Sequence, residues 1–365
     1  MLSMEMLPAG HGDCLWIEYG APVHRILIDG GPYYSYKYLR QRIEQLDPDD
    51  RHFELLIVTH VDADHIEGTL RLLQEPHLGV RFGDVWFNGT KQINTALDAG
   101  DMLDERQGEY LQALLTSSGQ RWNGAFGGKV VYVPAHGELP SRKLSGDAKI
   151  TVLSPTAREL RTLGARWIDV IEKEGFSTGD TATALENLKK QQRLQPLDTL
   201  GDAPPPDILG EADDPPGSDS SVANGSSIAA IVEHDGHRLL LAGDAFPGVL
   251  VDSLQRYPGG TPVDLEVFKL PHHGSIRNTT DEMIRAVNCE RFAISSNGKY
   301  FGHPSSRAID TLLNAIPAES DPQLWFNYLS DQTKPWCEAQ RQSAKRYTAM
   351  HPSDEGEHGI TITLP

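Results

Sequence analysis

The chain has 365 residues, of which 39% are hydrophobic and 23% charged, with a formal net charge of -18. That length suits two ordinary domains or one large one, and the apolar content supports a substantial core and excludes wholesale disorder. The acidic balance argues against a broad basic surface for duplex nucleic acid, although bound divalent cations would reverse the local field at a site. Cys14, Cys289 and Cys337 are far apart and odd in number, so they form neither a zinc knuckle nor a disulfide framework. A reducing, cytoplasmic setting fits them best. No basic region followed by a long apolar run opens the chain, and no stretch approaches the roughly 20 apolar residues of a membrane span. A soluble protein without a signal peptide or a membrane partner is therefore expected.

Apolar alternation predicts a first strand over Leu2 to Leu7, a glycine-punctuated turn at Gly10-His11-Gly12-Asp13, and a hairpin of Cys14 to Tyr19 with Arg25 to Ile28, ending in Asp29-Gly30-Gly31. A helix over Tyr36 to Leu46, with Ser35 as N-cap, precedes a short buried strand, Leu55 to Val58. A second helix is expected to begin near His65. Strands are predicted at Val85 to Phe87, Val130 to Val133 and Ile150 to Leu153, with helices at Glu109 to Leu115, Ala157 to Glu174 and Thr181 to Leu194. Residues 195–224 are Pro-rich and acidic, and read as a mobile loop. Order returns with strands at Ser226 to Glu233, Leu239 to Ala242, Val263 to Leu270, Arg291 to Ser295, Leu324 to Phe326 and Ile360 to Thr363. Helices are expected over Phe246 to Leu254, over Glu282 to Val287, and from His303-Pro304 to Ala315.

The stretch Thr59-His60-Val61-Asp62-Ala63-Asp64-His65 places four metal-competent side chains in six positions, at the turn from strand to helix. Residues two apart in an extended segment point the same way, so His60 and Asp62 can share one ion. Asp64 and His65 follow where the helix N-terminus favours an anion. Imidazole with carboxylate suits Zn, Mn or Fe. A plainer reading, in which Asp64 merely caps the helix, leaves the other three unexplained. Polar clusters recur at strand ends, at Asp29, Asp244, His272-His273 and Asn297, and ligands at neighbouring strand ends converge on one sheet edge.

Taken in order, Ile28-Asp29-Gly30-Gly31, Thr59-His60-x-Asp62-x-Asp64-His65-x-x-Gly68, Leu241-Ala242-Gly243-Asp244 and His272-His273-Gly274-Ser275 resemble the motifs of metallo-β-lactamase-fold hydrolases. With Gly12-Asp13, the segment at Asn224 and Gly302-His303-Pro304, the pattern is similar to the hydrolase domain of ComEC-type DNA-uptake proteins. The resemblance implies an α/β, four-layer αββα sandwich, with residues 1–365 forming one domain and 195–224 a loop within it. It also implies two divalent metal ions, Zn or Mn. His60 and Asp62 match ligands of the first, Asp64 and His65 match ligands of the second, and Asp244 matches the carboxylate that bridges them. One of His272 and His273 matches the last histidine, His273 being favoured because it precedes Gly274. Asp29 matches a supporting carboxylate.

Two departures stand out. Asp62 occupies a position usually held by His, which makes the first site harder and favours Mn. The third histidine of the first site is not evident: Asn224 or Ser226 stands near its place, and His136 reads as an exposed loop residue.

A metal pair of this kind suits hydrolysis of phosphodiesters, in a nuclease or nucleotide phosphodiesterase. Asp64 is the candidate proton acceptor. His272, if not a ligand, and His303 are candidates for stabilising developing charge or protonating the leaving group. Lys269 and Lys299 can reach phosphate, although a lysine at a solvated strand end is the commoner case. Hydrolysis of an ester, thioester or lactone by the same pair is the alternative, as is a non-catalytic partner or sensor module, possibly in a defence system, that binds another protein through the acidic loop. His24, His52, His77, His234, His237, His351 and His358 read as surface residues.

Overall fold

The protein is described here by a computed structural model, which covers residues 1–97, 106–164, 179–195, 214–353 and 358–364. Two sheets dominate. The first contains β1 (Leu2–Met6), β2 (Leu15–Tyr19), β3 (His24–Ile28), β4 (His52–Ile57) and β5 (Arg81–Trp86), with the last strand, β16 (Ile360–Leu364), on the outer edge of β1. The second contains β6 (Ser141–Lys143), β7 (Lys149–Ser154), β8 (Ala229–His234), β9 (His237–Leu241), β11 (Val267–Lys269), β13 (Arg291–Ile294), β14 (Gln323–Phe326) and β15 (Thr348–Met350), in the order 15-14-13-11-9-8-7-6. A parallel pair, β10 (Val263–Asp264) with β12 (Val287–Asn288), stands apart from both.

The period of two along each strand sorts the apolar residues between layers. Ile26, Ile28, Leu55 and Ile57 of the first sheet join Val232, Leu239, Leu241 and Val267 of the second in one buried core. Leu27 and Leu56 face the other way and pack with Tyr36, Leu39, Ile66 and Leu70 from the helices Tyr36–Glu44 and Ala63–Leu73. On the far side of the second sheet, Phe268 and Phe292, opposite each other in register, share the core with Leu250 and Leu254 of helix Pro247–Gln255 and Ile309 and Leu312 of helix Ser306–Ala315. The result is a mixed α/β fold layered helix, sheet, sheet, helix. Each buried Leu, Ile or Phe contributes on the order of 1.5–3 kcal/mol of apolar burial.

Several expectations need correction. Val130, Val131 and Val133 are buried, but they form no strand; only an isolated bridge from Val133 to Thr156 is present. An apolar run of that length fits a core-lining loop as well as a strand. Val263 to Leu270 is split into β10 and β11. Helix Thr90–Leu97 and strands β6 and β15 were not foreseen, because they are short and partly polar. Of the helix expected over 157–174, residues 157–164 are helical and the rest lie outside the described residues. The same holds for 196–213 of the acidic segment. Its described end is built into the protein: Val222–Gly225 forms a short helix, and Asp219 is largely buried. No helix among the described residues is long and apolar enough to cross a membrane.

Candidate metal centre

The Thr59–Gly68 stretch leaves β4 and enters helix Ala63–Leu73 with Asp62 at the N-cap. The Asp62 side chain makes no capping bond; its Oδ2 lies 3.5 Å from His60 Nε2 instead. Two glycines let this turn close on its neighbours, Gly68 on the segment after β3 and Gly12 from the loop between β1 and β2. A Cβ on Gly68 would stand 2.0 Å from the Gly30 carbonyl oxygen, and one on Gly12 would stand 1.7 Å from the Asp64 carbonyl oxygen. In that close contact Gly30 N–H donates to His65 O, Gly68 N–H to Gly31 O and Asp13 N–H to Asp64 O.

Asp244, just past the end of β9, sits at the centre. Its Oδ1 is 3.4 Å from His65 Nε2 and 3.7 Å from His273 Nε2. Its Oδ2 is 3.8 Å from His60 Nε2 and 3.9 Å from His272 Nε2. Asp64 Oδ2 lies 3.8 Å from His65 Nε2 and 3.4 Å from His273 Nε2. His60, Asp62, Asp64, His65, Asp244 and His273 are thus brought together, and His272 joins them. His272 and His273 reach opposite sides of Asp244 because both adopt left-handed backbone conformations, with φ of 48° and 54°. Such a pair of non-glycine residues is sparsely populated and persists only where its surroundings impose it.

Outer contacts orient the rings. His65 Nδ1 is 2.7 Å from Asp29 Oδ2, while Asp29 Oδ1 accepts the Thr59 N–H at 2.8 Å. Asp29 therefore lies behind a histidine and away from the centre. His60 Nδ1 contacts Thr59 Oγ1 at 3.0 Å and Ser227 Oγ at 3.1 Å. His273 Nδ1 donates to Ser295 O at 3.0 Å and faces Asp13 Oδ1 at 3.4 Å. Lys269 Nζ, fully buried, donates to Asp13 Oδ2 at 2.9 Å. Both sequence readings of Lys269 are therefore wrong: it is neither solvated nor aimed at a substrate.

The donor set fits metal ions. His60 Nε2 and Asp244 Oδ1 are buried with no hydrogen-bond partner among the described residues. Such atoms cost about 1–3 kcal/mol each unless something else satisfies them. Asp13, His65, Asp244 and His273 each offer a ligand atom within 4.8 Å of the others. That group contains Asp13, but Lys269 already neutralises this carboxylate, which lies on the Nδ1 side of His273. Asp64 approaches the Nε2 side and is the better placed donor.

Charge balance without metal follows from burial opposed by close partners. Burial disfavours the charged His65 imidazole, but Asp244, Asp29 and Asp64 outweigh it and hold the group well above its ordinary value. His273 is raised in the same way, chiefly by Asp244 and Asp13 against burial. For His272, burial is outweighed by Asp244 and Asp219, and the value rises to about 10. Burial would raise Asp64 and Asp244, yet the adjoining imidazoles, His65 foremost, hold both carboxyls well below their usual range. His303 goes the other way: burial, then the charges of His272 and His273, keep it well below its ordinary value.

A cavity of about 450 Å³ opens onto the centre. Asp62, Asp64, Asp244 and His272 form its floor, Tyr33, Tyr34, Tyr300, Phe301 and His11 its aromatic wall, and Arg193 and Arg277 its cations. His303 is buried beside it, its ring centroid 5.2 Å from that of His272 and 6.4 Å from that of His273.

The sequence reading quoted Gly12-Asp13 as a motif without giving Asp13 a role, and it missed His11 and Asp219. Asp13 stands in the turn before β2, in a Gly-Asp pair like the one that singled out Asp244. Asp219 was hidden inside a segment dismissed for its composition. Ser226, a candidate for the missing ligand position, donates to Ala223 O; its neighbour Ser227 reaches His60. His136 is exposed, as expected. His234, expected at the surface, is buried with its ring 5.3 Å from that of Tyr19.

No protein-family model and no curated protein sequence matches this chain. Several solved structures align with it at low identity. Zn(2+)-bound PqqB from Methylobacterium extorquens is 14% identical over 96% of this chain and 87% of its own, with a TM-score of 0.40. A diphosphatase of the PhnP family is 11% identical over 100% and 98%, with a TM-score of 0.38. A long form RNase Z from yeast is 10% identical over 99% of this chain but only 46% of its own, with a TM-score of 0.38.

Proposed function

We propose that the protein is a metal-dependent hydrolase that uses two divalent ions, Zn or Mn, to cleave phosphodiester bonds in a nucleic acid or nucleotide. The observation that carries this reading is the arrangement around Asp244: two imidazole nitrogens face each of its two oxygens, and Asp62 and Asp64 stand beside those imidazoles. In the proposal His60 and Asp62 would hold one ion, Asp64, His65 and His273 would hold the other, and Asp244 would be a donor to both. The ions, when bound, supply a nucleophilic water and offset the charge that develops at phosphorus.

The chain's own groups take the remaining roles. Asp64, held far below the ordinary carboxylate range, is a weak base, which favours its part as a ligand over that of proton acceptor. His303, kept neutral, retains an N–H to offer the leaving oxygen. Arg193, paired with Glu67, and Arg277, paired with Asp214, stand at the cavity, and its aromatic wall suits the flat face of a base. The motif likeness to the hydrolase domain of ComEC-type DNA-uptake proteins supports a phosphodiester in particular.

The test is turnover of an activated phosphodiester by purified protein with Mn2+ or Zn2+. Activity is expected in the wild type and absent in the double variant Asp64→Ala/His65→Ala. Robust cleavage by that variant overturns the assignment, and turnover of a lactone or thioester without a phosphodiester moves the substrate class.

A further inference from the structure

We infer that His272 is the third protein ligand of the first metal ion, filling the place for which the sequence offers no histidine. The inference rests on the two-metal reading above and adds to it a residue that the sequence left open between ligand and acid.

The four histidines of the centre are held alike. Each turns Nε2 inward toward Asp244 and has its Nδ1 engaged from outside. For His65 the outer partner is Asp29, for His273 it is Ser295 O with Asp13, and for His60 it is Thr59 with Ser227. For His272 it is Asn278 Oδ1, 2.8 Å from Nδ1, with Asp219 Oδ2 at 3.6 Å. The orientation of the Asn278 amide is fixed, because its Nδ2 donates to Asp219 Oδ2, Asp244 O and Ala245 O. Oδ1 is therefore the atom that faces His272, and it accepts the Nδ1 proton. That leaves the Nε2 lone pair of His272 pointing inward, the tautomer of a metal-ligating histidine whose other nitrogen is anchored.

The side of Asp244 matters as much. His65 and His273 face Oδ1, whereas His60 and His272 face Oδ2, at 3.8 and 3.9 Å. His272 therefore belongs with His60 and Asp62, the half of the centre that otherwise has two terminal donors. Asn224, near the position where the sequence lacks a histidine, instead supports the new ligand: its Nδ2 donates to Asp219 Oδ2 at 2.8 Å and lies 3.4 Å from His272 Nδ1. Asp219, Asn224 and Asn278 act as one clamp behind His272.

The experiment is calorimetric titration of the metal-free full chain with Mn2+, and separately with Co2+ followed by visible absorption, for wild type, His272→Ala and His272→Gln. Wild type should bind two ions. Both variants should bind one, with the affinity of the retained ion within threefold of wild type, and should lose part of the Co2+ absorption. The glutamine fills the space that alanine leaves, so a folding defect of His272→Ala does not decide the matter; circular dichroism identifies it. Asn278→Leu should weaken one ion about 10–100-fold and spare the other. Two ions with wild-type affinities in either folded His272 variant overturn the inference while leaving the two-metal reading intact. A wild type that binds no ion removes both.

Discussion

The Nε2 atoms of His65 and His273 lie 3.3 Å apart, although 208 positions separate the two residues in the chain. Each Nδ1 is held by an outer acceptor, so two nitrogen lone pairs converge on one point beside Asp64 and Asp244. Without metal both imidazoles are raised, because burial is outweighed by the carboxylates around them, Asp244 foremost, with Asp29 and Asp64 on His65 and Asp13 on His273. His65, His273, Asp64 and Asp244 would together hold a divalent ion at that point.

The outer carboxylates hold this geometry. In Asp29→Asn the side chain keeps one acceptor where three contacts, from Thr59 N–H, Thr59 Oγ1 and His65 Nδ1, now meet two oxygens. Metal affinity should fall about 10–100-fold with the fold retained. Competition with a chromophoric chelator measures it, and an unchanged affinity would show that Asp29 plays no part in orienting His65.

Lys269 and Asp13 form a fully buried ion pair at 2.9 Å. Lys269→Met leaves buried Asp13 charged with His273 as its remaining partner, and should cost about 3–5 kcal/mol in urea unfolding. The double variant Asp13→Asn/Lys269→Met should recover most of that loss. If the two losses simply add, the pair is not coupled as described.

Burial lowers His272, but Asp244 and Asp219 more than reverse this, raising it from an ordinary 6.5 to about 10. Its protonation therefore stabilises the metal-free protein fully below about pH 6.5, and that contribution is lost as pH rises toward 10. The melting temperature of chelator-treated protein should fall across that window. The depressed Asp64 and Asp244 act at the other end, their contribution being present above about pH 4 and lost as pH falls. Metal binding needs the imidazoles unprotonated, so apparent affinity should tighten from pH 6 to 8, with proton release. A flat alkaline melting profile would contradict the charge arrangement.

Gly68→Ala forces a methyl group to within 2.0 Å of the Gly30 carbonyl, where only backbone can give way. A loss of about 1–3 kcal/mol is expected, together with weakened metal binding. Gly248→Ala, with nothing within 4 Å of the added carbon, is the control and should leave both properties unchanged. Equal behaviour of the two variants would remove the claim that this close approach positions the motif.

Much of the layering was legible in the sequence, because Leu55 to Val58 and Leu239 to Ala242 are short apolar runs that end in polar clusters. The cluster from His60 to His65 was legible for the same reason, and its donors sit within one turn. What lay hidden depends on partners remote in the chain. Lys269 reads as a strand-end lysine until Asp13, 256 positions away, is seen beside it. Asp219 reads as linker charge until Asn278 and His272 close around it. The His-Gly pattern favoured His273 over His272 as the last histidine but left His272 no ligand place of its own; consecutive left-handed residues send the two rings to opposite sides of Asp244.

Metal stoichiometry tests the central claim most directly. The full chain, stripped with chelator, reloaded in Mn2+ or Zn2+ and freed of excess ion by gel filtration, is measured by elemental analysis beside His65→Ala/His273→Ala. The account predicts two ions per chain in the wild type and at most one in the variant. A wild type that retains no ion above the buffer level would contradict it.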